Sequence, residues 1–416
     1  LFATAGNGYY EQYKADQKYS SYGLKNPIVN GIAITKTDLI RQLWLDNLYY
    51  GTNFSFQMKD ENREIILGGG NSQYDGNHFG KIIWAQAGIF KDHRWYDLDA
   101  QKSEQHVLGK WMEKLGSFHL FGDLQLRNVN YAIEGFRNNP TLSIDKHWLF
   151  VNPKAGLRYT SGEYSSFISY ALANKEPNRD DFEAGTTDIP KHETLHDVEA
   201  GIERTGSKLK MAATVYHMRY NNQLVLTGKI NDVGAYTRTN IPLSYRTGLE
   251  IEATLSISDR LHINNNLALS SNKVKNHREF YDDYDAGDQK VDFFSTSNIA
   301  FSPAVVDNAT ISYTLLKDLE TRLISKYVSR QYLDNTSRKD RSLAPYFTQD
   351  LMVNYSLHPK RMKSIELIFQ LNNIWNKWYA PNGYTYTYKY GGELVRNNFY
   401  YPMAERNLMI GLNLNF

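Results

Sequence analysis

The chain has 416 residues, and its 47 Lys and Arg residues nearly balance its 45 Asp and Glu residues. This balance disfavours a nucleic-acid partner, because a nucleic-acid footprint needs a basic excess. The lack of cysteine excludes a disulfide scaffold and a cysteine-based zinc site. Mean hydropathy is −0.56, and no apolar run approaches the ~20 residues of a membrane helix.

The segment 47–59 is the first with a clear strand pattern. Successive side chains of a strand point to opposite faces, and one face here carries Leu48, Tyr50, Thr52, Phe54, Phe56 and Met58. The other face is polar apart from Tyr49. The same alternation recurs at 118–127, 149–159, 245–255 and 408–416. Many strands with one apolar face are typical of a transmembrane β-barrel, whose polar interior keeps the mean hydropathy low.

Short and long connections alternate between the predicted strands. Short ones lie at 59–62, 114–117, 160–163 and 205–208, and long polar ones lie at 14–43, 71–103, 273–304 and 375–404. Outer-membrane barrels differ at their two ends in this way, with short periplasmic turns and long external loops. We therefore expect an all-β, transmembrane antiparallel β-barrel with about 16 strands in this chain. A large soluble all-β protein is the alternative, but its exposed strand faces should be polar.

The segment 191–206 spells H-E-x-x-H with His192, Glu193 and His196. On a helix, this spacing lets two imidazoles hold one Zn²⁺ while the glutamate serves as the general base of a metallopeptidase. The local pattern fits a helix and a strand equally, but a long connection precedes the segment and a short turn follows it. We expect a strand, on which the two histidines stand about 13 Å apart and cannot share one zinc ion.

Four aspartates form an acidic cluster in one of the long connections. They are Asp282, Asp283, Asp285 and Asp288. Hard cations such as Ca²⁺ bind several oxygen ligands, so these residues are weak calcium candidates. Their spacing is not that of a known calcium motif, which favours a solvated acidic loop.

Aromatic and imidazole side chains in the long connections are the candidate ligand-binding residues. They are Tyr74, His78, Trp378, Tyr384, Tyr386 and Tyr388. Aromatic rings on an external loop can hold a large flat or amphipathic ligand. They can equally form an interfacial belt or extend a strand, and a lone loop histidine seldom contacts iron or haem.

A series of segments, in this order, carries a family resemblance. They include "YDGNHFGKIIW" (74–84), "ALANKEPNRDDF" (171–182), "YVSRQYLDNTSRKDRSLAPYF" (327–347), "LNNIWNKWYAPNGY" (371–384) and "YYPMAERNLMIGLNLNF" (400–416). The series resembles TonB-dependent outer-membrane receptors, most closely those of the Bacteroidetes type. The resemblance implies that residues 1–416 are the C-terminal portion of a 22-stranded barrel. An N-terminal plug and about six strands would then lie outside this chain.

The resemblance also implies a function without catalysis or a cofactor. It implies active uptake of a scarce, large nutrient across the outer membrane, such as a ferric siderophore, haem, cobalamin or an oligosaccharide. The implied partners are TonB, acting through the N-terminal region, outer-membrane lipid, and a small-molecule or metal-chelate ligand. A surface lipoprotein remains open as a further partner. The first alternative is a passive 16-stranded porin, and the second is the zinc metallopeptidase.

Overall fold

The computed structural model describes residues 1–137, 139–184, 189–230 and 236–416, and most of these residues lie in strands. The strands are β1 Phe2–Lys18, β2 Ile28–Val29, β3 Ile32–Ala33, β4 Lys36–Lys59, β5 Arg63–Ala85, β6 His93–Leu115, β7 Phe118–Phe136, β8 Asn139–Ser161, β9 Tyr164–Lys175, β10 Glu193–Thr205, β11 Leu209–Ile230, β12 Tyr236–Ser258, β13 Leu261–Asp283, β14 Asp288–Asn298, β15 Val305–Leu316, β16 Leu319–Val328, β17 Gln331–Tyr332, β18 Ser342–Leu343, β19 Tyr346–Leu357, β20 Ser364–Asn372, β21 Asn382–Tyr390, β22 Glu393–Tyr401 and β23 Asn407–Asn415.

Within these ranges, helical structure is limited to short pieces. A 3₁₀ turn spans Tyr19–Tyr22, and the six-residue helix α1 spans Arg179–Ala184. Among the described residues, no helix is long and apolar enough to cross a membrane.

The chain divides into two compact units. Unit 1 comprises Leu1–Met112, Asp123–Pro153 and Asn178–Ile189, and unit 2 comprises Glu113–Gly122, Lys154–Pro177 and Pro190–Phe416. In unit 1, β4 pairs antiparallel with both β1 and β5. In unit 2, the strands from β9 to β13 pair antiparallel in chain order. The antiparallel order continues through β15, β16, β19 and β20 to β23. β21 and β22 form a hairpin, and a short parallel β-bridge joins β21 to the end of β13 at Asp282↔Tyr388 and Asp283↔Lys389.

The strand β10 contains the segment that spells H-E-x-x-H. It pairs with β9 on one side and β11 on the other. His192 precedes the strand and His196 lies within it. The predicted strand is therefore confirmed, and the two imidazoles do not share the helix face that a metallopeptidase site requires. Val198 and Ile202 are 43% and 51% exposed, as expected for the apolar face of a strand.

Several predicted long loops are in fact strand extensions, so the prediction of irregular structure at 71–103 is wrong for most of its length. β5 continues to Ala85, and β6 begins again at His93. The register of β5 with β4 runs from the short turn as far as Leu39↔Ala85. In these extensions apolar and polar side chains are mixed on both faces, so the alternation fades although the main chains stay paired.

Buried apolar clusters lie in these extensions. One cluster in unit 1 contains Ala100, Tyr131, Ile133, Phe136, Ile144 and Phe182. One cluster in unit 2 contains Val225, Ile241, Val274 and Ile299. The extensions are thus held by packing as well as by main-chain hydrogen bonds.

Candidate functional site

The helix α1 presents an arginine next to the extended strands of unit 1. Phe182 is fully buried and contacts Tyr131 edge to face, with the ring centroids 5.9 Å apart. The backbone N–H of Asn178 donates to the carboxylate of Asp181 at 2.8 Å, and the N–H of Asp181 donates back to the Asn178 amide oxygen at 3.1 Å. These contacts fix the short helix and the position of its first residue, Arg179.

The guanidinium of Arg179 is only partly satisfied by the protein. Its Nη2 donates to the carbonyl oxygen of Gly135 at 3.3 Å, and its Cζ lies 4.8 Å from the centroid of the Phe136 ring. Its Nη1 is buried and has no hydrogen-bond partner among the residues that the structure describes. A buried donor without a partner is costly, so this atom is suited to an oxygen of a bound ligand.

The charge of Arg179 acts on Tyr74, His78 and Tyr131, and we call these four residues the Arg179 cluster. Burial lowers the pKa of His78 to about 4, and the positive charge of Arg179 acts in the same direction. Burial also raises the pKa of Tyr131 to about 12, although Arg179 opposes this shift. The cluster therefore carries one fixed positive charge, a neutral imidazole and neutral phenols, which can bind an anionic, oxygen-rich group.

Two members of the cluster are predicted from sequence and two are not. Tyr74 and His78 share one face of β5, and the Tyr74 hydroxyl donates to the Asn47 side chain at 2.8 Å. Arg179 and Tyr131 are missed because they are distant in sequence. The only signal is the run "EPNRDD" at 176–181, which lacks a partner motif of its own.

The hairpin of β21 and β22 in unit 2 carries an aromatic face. Tyr384 stacks on Phe399 with centroids 4.7 Å apart and contacts Tyr386 edge to face at 5.6 Å. Tyr388 shares this face and contacts Tyr284 at 5.7 Å. The structure therefore brings three of the predicted ligand-binding tyrosines into one row. Trp378 precedes the hairpin and is 63% exposed.

The opposite face of the hairpin packs against residues 331–343. Arg396 forms an ion pair with Asp340 at 3.3 Å, and Asn398 donates to the carbonyl oxygen of Asp340 at 2.6 Å. A Cβ at Gly383 would lie 2.4 Å from the Phe399 carbonyl oxygen and 3.3 Å from Leu333 Cδ2. Glycine thus permits the close approach that positions the aromatic face.

A buried ion cluster holds the segment 331–343 itself. Arg341 is 1% exposed, and its Nη1 donates to carboxylates of both Asp334 and Glu279. Burial alone would lower the pKa of Arg341, but these two carboxylates raise it. The two acidic residues therefore fix the arginine in its charged form.

The four predicted calcium ligands have partners within the protein. Asp283 pairs with Lys389 at 3.0 Å, and the hydrogen bond from this lysine lowers the pKa of Asp283. Asp285 accepts the backbone N–H groups of Gly391 and Gly392, both at 2.8 Å.

The remaining two aspartates contact their own hairpin. Asp288 pairs with Lys290 at 2.9 Å, and Asp282 accepts from Gln289 at 3.5 Å. No group of three possible metal ligands occurs in the described part of the chain. Asp283 and Asp285 instead join the tip of the β13–β14 hairpin to the tip of the β21–β22 hairpin.

Solved structures with the same fold include two transporters and an import receptor by their titles. The copper transporter OprC has a TM-score of 0.67 at 14% identity, over 91% of this chain and 57% of that chain. The ferric-catecholate import receptor Fiu from E. coli K12 has a TM-score of 0.62 at 14% identity, over 100% and 61%. The ferric citrate transporter FecA has a TM-score of 0.63 at 14% identity, over 92% and 56%. The chain thus spans less than two thirds of the length of these proteins.

Sequence comparison identifies the family. No curated protein matches the chain. The family model described as "TonB dependent receptor-like, beta-barrel" matches residues 2–374. The predicted all-β antiparallel architecture is confirmed, and the chain belongs to the TonB-dependent receptor family as part of its β-barrel domain.

Proposed function

We propose that the protein is an outer-membrane transporter that takes up a large, scarce nutrient with energy delivered through TonB. The match of residues 2–374 to the β-barrel of TonB-dependent receptors carries this proposal. Residues 1–416 would be the C-terminal portion of a larger barrel, and the plug and the contact with TonB would lie in the remaining protein. The relation to Bacteroidetes members and the surface lipoprotein stay predictions.

The ligand that these residues suit best is an anionic metal chelate such as a ferric siderophore. The Arg179 cluster supports this class, because it offers a buried cationic donor and neutral phenols to anionic oxygens. The aromatic face of the β21–β22 hairpin suits flat rings and is the reason to keep haem and cobalamin as further candidates. Titles of similar structures name copper, ferric-catecholate and ferric citrate as cargo of those proteins.

Uptake by cells tests the proposed transport. The full-length protein is expressed in a Gram-negative host strain that lacks its own siderophore receptors. Accumulation of ⁵⁵Fe is then measured with catecholate, citrate and hydroxamate chelates. We expect accumulation that requires both this protein and TonB. Equal accumulation in a host without TonB would instead identify a passive, porin-like channel.

A further inference from the structure

A groove lies on the exposed apolar face of unit 1, opposite to the face that carries its charged side chains. It has a volume of about 470 Å³, and Phe54, Val107, Leu126 and Leu149 form its apolar walls. Phe54, Val107 and Leu149 are 64%, 54% and 67% exposed. The opposite face of β6 and β7 carries the ion pair of Glu104 with Arg127 at 2.8 Å.

Glycine creates this groove. Gly68, Gly69 and Gly70 follow one another in β5. A Cβ at Gly69 would lie 2.9 Å from Cζ of the Phe54 ring and 2.7 Å from the carbonyl oxygen of His106. The phenyl ring therefore lies over a strand position that has no side chain, and Gly70 beside it lines the groove.

Neutral polar side chains form the rim of the groove on the same face. Thr52 donates to Asn71 at 2.8 Å, and Asn128 donates to Gln105 at 2.7 Å. Gln105 and Asn128 lie about ten residues from the short turn that joins β6 to β7, which is the span of a transmembrane strand. Gln105 and Asn128 thus lie where the apolar band of a barrel ends and the lipid headgroups begin, whereas the apolar face of β4 continues past Thr52 to the exposed Tyr50 and Leu48.

We propose that this groove binds one acyl chain of a membrane lipid, with the ester or amide linkage of that lipid at the amide rim. The walls are apolar and the lining residues carry no fixed charge apart from the ionisable His106. This composition suits a hydrocarbon chain and its neutral linkage, and not a phosphate, which would need a cation. The exposed apolar walls continue the face that the proposed function turns toward lipid. The inference therefore rests on the proposed membrane location.

Photo-crosslinking tests the groove directly. The full-length protein is placed in nanodiscs of palmitoyl-oleoyl phosphatidylethanolamine that contain a fraction of the same lipid with a diazirine on one acyl chain. After irradiation, labelled peptides are mapped by mass spectrometry. We expect labelling concentrated on the residues around Phe54, Val107 and Leu126.

Two matched variants make the test specific. Val107→Trp fills the groove. Excluding even one methylene of an acyl chain from an apolar site weakens binding about fourfold, so this variant should reduce labelling of the groove residues by roughly fourfold or more. Val215→Trp alters a valine of nearly equal exposure, 53% against 54%, on β11, and should leave groove labelling unchanged. Leu149→Trp serves as a second filling variant if Val107→Trp fails to fold, as judged by heat-modifiable gel migration.

Two other outcomes overturn the proposal in distinguishable ways. Even labelling of all exposed apolar positions, unaffected by either filling variant, would show that no acyl chain is held at the groove while the membrane location stands. No lipid labelling on any strand, including the region of Val215, would reject the membrane location and the groove together.

Discussion

Arg341 is a fully buried cation that depends on two acidic side chains. Its carboxylate partners, Asp334 and Glu279, lie in different elements, one in the segment 331–343 and the other in β13. Removing one member of a buried ion cluster leaves the others charged without compensation in a medium that solvates them poorly. The arrangement therefore makes the position of the whole segment sensitive to a single side chain.

Arg341→Gln should release the segment 331–343. We expect a loss of about 3–5 kcal/mol in the free energy of its local opening, because the buried Asp334 and the largely buried Glu279 lose their partner. Hydrogen exchange of the backbone amides in 331–343 measures this loss. Arg204→Gln is the control, since its pair with Glu163 is exposed and should contribute at most ~1 kcal/mol. Unchanged exchange in Arg341→Gln would show that the segment is held by other contacts.

Arg179→Gln should weaken ligand binding and leave the fold intact. The substitution removes one charge-assisted hydrogen bond, so affinity for an anionic ferric chelate should fall roughly tenfold to a hundredfold. Isothermal titration with the full-length protein measures this change. The control is Arg322→Gln, which alters an arginine paired with Glu320 on β16 and should leave affinity unchanged. Equal affinities of both variants would exclude Arg179 as a ligand contact, whether or not transport occurs.

His78 should make the folded protein less stable in acid. In the folded state its pKa is about 4, against an ordinary value of 6.5. Between these values the unfolded imidazole binds a proton that the folded one does not, so stability falls as the pH decreases from about 6.5 to about 4. Below that window both states are protonated and the contribution is constant.

Urea unfolding in detergent at several pH values tests this dependence. His78→Asn should lose stability less steeply than the wild-type protein between pH 6.5 and pH 4. His217→Asn, which alters an exposed histidine on β11, should keep the wild-type slope. Parallel curves for wild type and His78→Asn would contradict the burial of a neutral imidazole at this position.

At the scale of elements, the sequence predicts a strand best where only one face is apolar. The alternation at 47–59 and 408–416 identifies β4 and β23, and the position of 191–206 identifies β10 as a strand. The pattern fails at 71–103, because a paired strand with apolar and polar side chains mixed on both faces has no clear hydrophobic period. Main-chain hydrogen bonds between strands form with almost any side chain, so the sequence does not show how far such strands extend.

The candidate site is predictable only in part for a related reason. Tyr384, Tyr386 and Tyr388 share a face because residues two apart on any strand do so. The Arg179 cluster instead contains residues of β5, β7 and a six-residue helix. No local sequence pattern predicts that residues of these three elements lie close together. The acidic cluster at 280–288 is visible in sequence, but its partners Lys389, Gly391 and Gly392 are a hundred residues away.

Asp285→Ala should loosen the junction between the two hairpin tips. The carboxylate accepts two backbone N–H groups, so its loss should speed hydrogen exchange at Gly391 and Gly392 by about tenfold or more. Asp282→Ala is the control in the same hairpin, because Asp282 has only a long contact of 3.5 Å with Gln289. Equal exchange in both variants would mean that the tips are held by the β-bridge and the Asp283–Lys389 pair alone.

At the scale of the whole molecule, the strand faces test the proposed membrane location. The chain has no cysteine, so single cysteines can carry a nitroxide spin label without a competing thiol. Val198 and Ile202 share the apolar face of β10, so labels at Val198→Cys and Ile202→Cys should be relaxed by oxygen, which concentrates in lipid. Glu199 lies on the opposite face, so a label at Glu199→Cys should be relaxed by a water-soluble nickel chelate. The measurement is power-saturation electron paramagnetic resonance in liposomes. Relaxation by the nickel chelate at all three positions would show that the apolar face of β10 is in water and not in lipid.

The long strand extensions have a consequence for enzymes that attack the cell surface. A protease must draw several residues of its substrate into an extended cleft, and residues hydrogen-bonded to strands on both sides are not free to enter it. The residues of β12 from Leu243 to Leu255 pair with both β11 and β13 and are protected in this way. Cleavage should therefore concentrate in unpaired stretches such as 23–27 and 402–406. Strands paired like this can extend far from the apolar band without offering long cleavable loops.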